Sequence, residues 1–67
     1  VKKFIKYSKG IMRIDKIVSI DKHFEAHAID PYYINIVFEN NLVCVSYSIE
    51  EERQCEDDYK KIIEALK

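Results

Sequence analysis

Glycine and proline are nearly missing from this chain, with one of each in 67 residues. A lone Gly10 leaves no glycine-rich loop of the kind that cradles phosphates. Together with Pro31 it is too little to mark a flexible linker. Cysteine is scarce as well. Cys44 and Cys55 can form at most one bridge, far below the density of a secreted disulfide scaffold, and are expected as free thiols. No apolar run approaches the roughly 18 residues of a membrane span. The Lys-rich start is not followed by the apolar stretch of a signal peptide, so a cytoplasmic location without membrane contact is expected. Catalytic machinery is missing too: there is no triad order and no carboxylate pair in an identifiable cleft. So short a chain has little room for a pocket of several hundred Å³. Neither an enzyme nor a cofactor is expected.

What is present is apolar and charged in nearly equal weight, with 48% hydrophobic and 34% charged residues. A chain of this length buries only about 60% of its unfolded surface, which allows one core and leaves stability marginal. One domain over residues 1–67 is expected, reinforced by a partner, since small chains commonly need such a staple. The net charge of −1 hides an asymmetry. Residues 1–22 carry seven basic and two acidic groups, a net of +5, whereas residues 23–67 carry four basic and ten acidic groups, a net of −6. Eleven Ile and nine Lys against three Ala and two Arg fit an AT-rich bacterial or phage genome.

Period-two patterning dominates the first two thirds. KKFIKYS and IMRIDKIVSI flank Lys9 and Gly10, which fit a hairpin turn. In the first arm Ile5 and Tyr7 share one face and Phe4 takes the other. In the second, Met12 and Ile14 alternate until Lys16 occupies a core-facing position. A bulge at Asp15–Lys16 that hands this position to Ile17 is expected, with Lys16 snorkelling outward as the alternative. Asp21–Pro31 reads as a long loop or irregular turn, and Pro31 belongs at a strand's start. In YYINIVFENNLVCVSYSI, Tyr32–Ile49, a two-residue turn at Asn40–Asn41 pairs Phe38 with Val43, Ile36 with Val45, Ile34 with Tyr47 and Tyr32 with Ile49. One face is then wholly apolar. The other carries Tyr33, Asn35 and Val37 opposite Ser48, Ser46 and Cys44.

After Ser48 the period lengthens to 3.6. Ser48 to Glu51 forms a capping box, and Cys55, Tyr59, Ile62, Ile63 and Leu66 fall on one stripe of a helix running from about residue 49 to the end. Its acidic start and Lys60, Lys61 and Lys67 near its end match the helix macrodipole. The expected fold is α+β, a four-stranded antiparallel meander (β-β-β-β-α) with one C-terminal amphipathic helix on one sheet face. A single helix covers only about 10 Å of sheet width, less than four strands about 4.8 Å apart require. Some sheet surface is expected to remain uncovered.

Three constellations compete for function. The second sheet face, with Tyr33, Val37, Leu42 and Cys44, is too apolar for a solvated back and is the expected interface with a second copy or another protein. A non-catalytic interaction or regulatory module follows, most simply a homodimer, and a bacterial or phage accessory or inhibitor protein would draw on the same residues. Lys2, Phe4, Lys6, Tyr7, Lys9, Arg13 and Lys16 interleave cations with rings and form an alternative platform for single-stranded nucleic acid. Their competing role is to neutralise the acidic helix start. His23, His27 and Asp30 have a spacing compatible with a metal, but HFEAH lacks the glutamate placement of the zinc-protease motif and Asp-Pro disfavours a helix there. They are expected to be loop residues without metal.

Overall fold

The computed structural model describes residues 3–67; Lys2 of the basic set lies outside them. Five antiparallel strands precede one helix: β1 (Phe4–Tyr7), β2 (Gly10–Arg13), β3 (Ile17–Phe24), β4 (Tyr32–Phe38), β5 (Leu42–Tyr47), a 3-10 turn at Ile49–Glu51, and α1 (Glu52–Leu66). The α+β class, the antiparallel pairing and the C-terminal helix match the sequence expectation. The single four-stranded sheet does not form. Strands β1 and β2 make one sheet and β3-β4-β5 another.

The division falls at Asp15–Lys16. There the long second arm leaves the extended state through a turn closed by the Ile17 amide donating to the Ile14 carbonyl at 3.3 Å. Arg13 grips Asp15 with two hydrogen bonds, of 2.6 and 3.0 Å, from its guanidinium. The β1–β2 hairpin can therefore leave the plane of the larger sheet. It turns at Ser8–Lys9, and Gly10 follows at a φ of +143°, a conformation that side chains with a Cβ rarely adopt.

A bulge does occur, two residues later than expected. Ile17 pairs with Phe38 and Ser19 with Val37, leaving Val18 extra and 65% exposed. Its effect is the one anticipated for the earlier position, since Ile17 and Ile20 both pack against the core. Asp21–Phe24 is not loop but the end of β3, with His23 opposite Tyr33 and Phe24 opposite Tyr32. Pro31 directly precedes β4, where its missing amide costs the ladder nothing.

The β4–β5 register is shifted by two residues from the expected one. Ile36 pairs with Val43, Ile34 with Val45 and Tyr32 with Tyr47. No non-glycine residue among those described has positive φ, so the primed turn that Asn40–Asn41 invites is not used. The bend instead centres on Glu39–Asn40, closed by the Phe38 amide donating to the Asn41 carbonyl at 2.8 Å. A shift of two preserves the identity of each face. Phe38, Val43, Ile36, Val45, Ile34 and Tyr47 remain together on the core side.

That core side is covered jointly by α1 and by the hairpin. Ile5, Met12 and Ile14 enter one buried cluster with Ile34, Ile36, Val45, Tyr47, Cys55 and Ile62. The surface that one helix leaves bare is thus covered by the chain's own first strands. On α1 the buried stripe is Cys55, Asp58 and Ile62, with Tyr59 and Ala65 packed beside it. Relative to the expected stripe, Ile63 is only half-buried and Leu66 is 40% exposed. The helix is rotated so that Asp58 faces inward.

Candidate interaction surface

The groups that hold these layers together determine what remains free outside. Asp58 is 5% exposed, and its carboxylate accepts from the Ser8 amide (3.1 Å), the Ser8 hydroxyl and the Tyr47 hydroxyl (2.7 Å). One side chain thereby ties α1 to the hairpin turn and to β5. This role is not among the sequence expectations, which assign the acidic first half of the helix to its macrodipole. The available signal was its spacing, three residues after Cys55 and four before Ile62, which puts a carboxylate on the apolar stripe.

Burial, and then the bond to Asp58, push the Tyr47 phenol far above its ordinary value, so it remains a donor. Unfolded tyrosines ionise near pH 10, whereas folded Tyr47 keeps its proton, and the unfolded chain binds fewer protons above that pH. The stability contributed by Tyr47 is therefore complete below about pH 10 and is lost as pH rises further. Urea midpoints measured upward from pH 8 are expected to fall above pH 10, and to fall less steeply in Tyr47→Phe. Equal slopes would remove Tyr47 as the cause.

At the helix start the Ser48 amide donates to Glu51 Oε1 at 2.8 Å, the return bond of the capping box. This bond, and then Lys9 at 3.3 Å, hold the Glu51 carboxyl below its usual range. Lys9 also lies 4.8 Å from the centre of the Tyr47 ring. Lys22 bridges Glu56 and sits 5.3 Å from the Tyr59 ring centre, lowering the Glu56 carboxyl. Two cations of the basic segment thus neutralise the acidic helix.

These pairings break up the basic set. Phe4, Lys6 and Arg13 share the outer face of the hairpin with Ile11, and Lys16 lies exposed at the following turn. Tyr7 packs against the core on the opposite face, Lys9 is held by Glu51, and Arg13 is occupied by Asp15. Two of the platform's cations are therefore matched by carboxylates and one of its rings points inward.

The histidines do not converge. His23 lies in β3 and stacks on Tyr33, with ring centres 5.2 Å apart and planes at 21°. His27 sits in the turn after β3 and Asp30 in the bend beyond it. Among the described residues no three His, Cys, Asp or Glu side chains gather as a metal site. Burial raises the Cys55 thiol, which keeps it protonated and unreactive. An open cleft of about 430 Å³ is lined by Arg13, Lys16, Phe38, Glu39, Asn40 and Asn41. Another, of about 530 Å³, is lined by Ile5, Lys61, Glu64 and Ala65.

The four residues expected at the interface do come together. Tyr33 and Val37 on β4 and Leu42 and Cys44 on β5 lie on the outer face of the three-stranded sheet, away from the buried cluster. Val37 pairs with Leu42, which is 61% exposed, and Cys44 is an exposed free thiol. Ser19, Asp21 and His23 complete this face on β3. No family model, curated protein or solved structure matches this chain. No helix among the described residues is long and apolar enough to cross a membrane.

Proposed function

We propose that this chain is a non-catalytic interaction module that assembles with a second copy of itself through the outer face and β5 side of the three-stranded sheet. The observation that carries this reading is the unequal treatment of the two sheet faces. The inner face is covered by both α1 and the hairpin, while among the described residues no element covers Val37, Leu42 and Cys44 on the outer face. A small chain gains most from burying such a patch, because its own core is limited by its length. The second copy is favoured as occupant because Leu42–Tyr47 contains no charge to set against its own image.

Sedimentation velocity over a range of concentrations tests the proposal. The mass is expected to rise from 8.0 kDa toward twice that value, and Leu42→Lys, which places a charge in the patch, is expected to hold the chain at the lower mass. A wild-type chain that stays at 8.0 kDa at the highest attainable concentration would overturn it.

A further inference from the structure

The backbone of β5 specifies how the second copy docks. In an antiparallel ladder, each residue of a strand directs its backbone groups to one neighbour and the next residue directs them to the other side. The Phe38 amide bonded to the Asn41 carbonyl fixes the phase between β4 and β5, and the Glu25 amide bonded to the Pro31 carbonyl fixes it between β3 and β4. The two phases agree. Tyr32, Ile34 and Ile36 turn toward β5, and Tyr33, Asn35 and Val37 turn toward β3. On β5 this directs the backbone of Val43, Val45 and Tyr47 inward to β4. The N–H and C=O groups of Leu42, Cys44 and Ser46 point off the sheet edge, and all three residues are exposed.

Natural sheets protect such edges with charges, prolines or bulges. The opposite edge, β3, has a bulge at Val18 and the charged pair Asp21 and Lys22. Strand β5, LVCVSY, has no such device. It is also self-complementary. A two-fold axis at Cys44 sets Cys44 against its own image, Leu42 against the partner's Ser46 and Ser46 against the partner's Leu42. This uses all three outward-facing residues. The same register sets Val43 against the partner's Val45, which extends the apolar inner face across the junction. An axis one residue toward either end of the strand leaves one of the three without a β5 counterpart.

We infer that two copies join edge to edge through β5, antiparallel about an axis at Cys44, forming one continuous six-stranded sheet. This rests on the self-assembly reading above and assigns its geometry. Leu42, Cys44 and Ser46 of the outer face then pack against the partner's Ser46, Cys44 and Leu42 across the junction, which covers the β5 side of the patch.

Cys44 is the probe for this arrangement, because Cys55 is buried. Directly opposed residues of a hydrogen-bonded pair have Cα atoms about 5.5 Å apart and Cβ atoms at a similar separation, too wide for an unstrained disulfide but within reach of a short thiol-to-thiol cross-linker. A short bifunctional thiol reagent is expected to convert the full chain to a covalent dimer, and this product is lost in Cys44→Ser. In the Cys44→Ser background, Leu42→Cys mixed with Ser46→Cys is expected to cross-link. Either alone is not, since each new thiol then lies about 13 Å from its own image at 3.3 Å per residue. A dimeric mass with no link at Cys44, or with no link in the mixture, overturns the edge geometry and leaves self-assembly standing. A monomeric mass with no link overturns both.

Discussion

Asp58→Ala is expected to lower the unfolding free energy by about 3 kcal/mol. For a domain of this size that corresponds to a fall in Tm of roughly 12–24 °C. The substitution removes the shared acceptor of the Ser8 amide, the Ser8 hydroxyl and the Tyr47 hydroxyl. Tyr47 is fully buried, so its hydroxyl is left without a partner and away from water. Tyr47→Phe deletes the hydroxyl along with its need for a partner and is expected to cost about half as much. Because both act on one network, the double variant should be less destabilised than the sum of the two, with a coupling of about 1–2 kcal/mol. Strict additivity in thermal or urea melts would mean that the two side chains are not energetically joined.

Ile36→Ala is expected to cost about 2–5 kcal/mol, the range for emptying a fully buried Ile site, because Ile36 has no solvent exposure. A chain of this length has about 3–10 kcal/mol in total, so much of the population is expected to unfold. Leu42→Ala, on the other face of the same hairpin, is expected to change the stability of the dilute chain by about 0.5 kcal/mol or less. The contrast between the two sites measures the difference between the faces. Similar losses at both would mean that the outer face is covered in the isolated chain.

The faces were legible in the sequence because strand patterning depends on parity, and parity survived every error of register. The β4–β5 pairing moved by two residues and the bulge by two, yet Ile34, Ile36, Val43, Val45 and Tyr47 stayed on one side. The bend was misplaced because asparagine tolerates positive φ without requiring it. The splitting of the long second arm was not readable from alternation, since Arg13 gripping Asp15 is a local side-chain event that interrupts a pattern fit for one strand. The inward turn of Asp58 depends on two partners distant in sequence, Ser8 and Tyr47, and a helical wheel holds neither. The same distance hid the role of the hairpin. Its apolar side was recognised in Ile5, Tyr7, Met12 and Ile14, but that it closes over the larger sheet follows only from the contacts that fasten it.

That the four proposed interface residues share one face was legible for the same reason of parity. Tyr33, Val37, Leu42 and Cys44 fall together because they are alternate positions on paired strands. The expected meander already puts its last strand at an edge; what the alternation of side chains does not reveal is that Leu42, Cys44 and Ser46 are the residues offering backbone groups outward, which depends on the hydrogen-bond phase of the ladder.

Amide hydrogen exchange along β5 at low and high protein concentration tests this account most directly. Val43, Val45 and Tyr47 are expected to exchange slowly at both, while Leu42, Cys44 and Ser46 exchange rapidly in dilute solution and become slow as the copies associate. Rapid exchange of Leu42, Cys44 and Ser46 at every concentration, or slow exchange of that set with rapid exchange of the other, would contradict it.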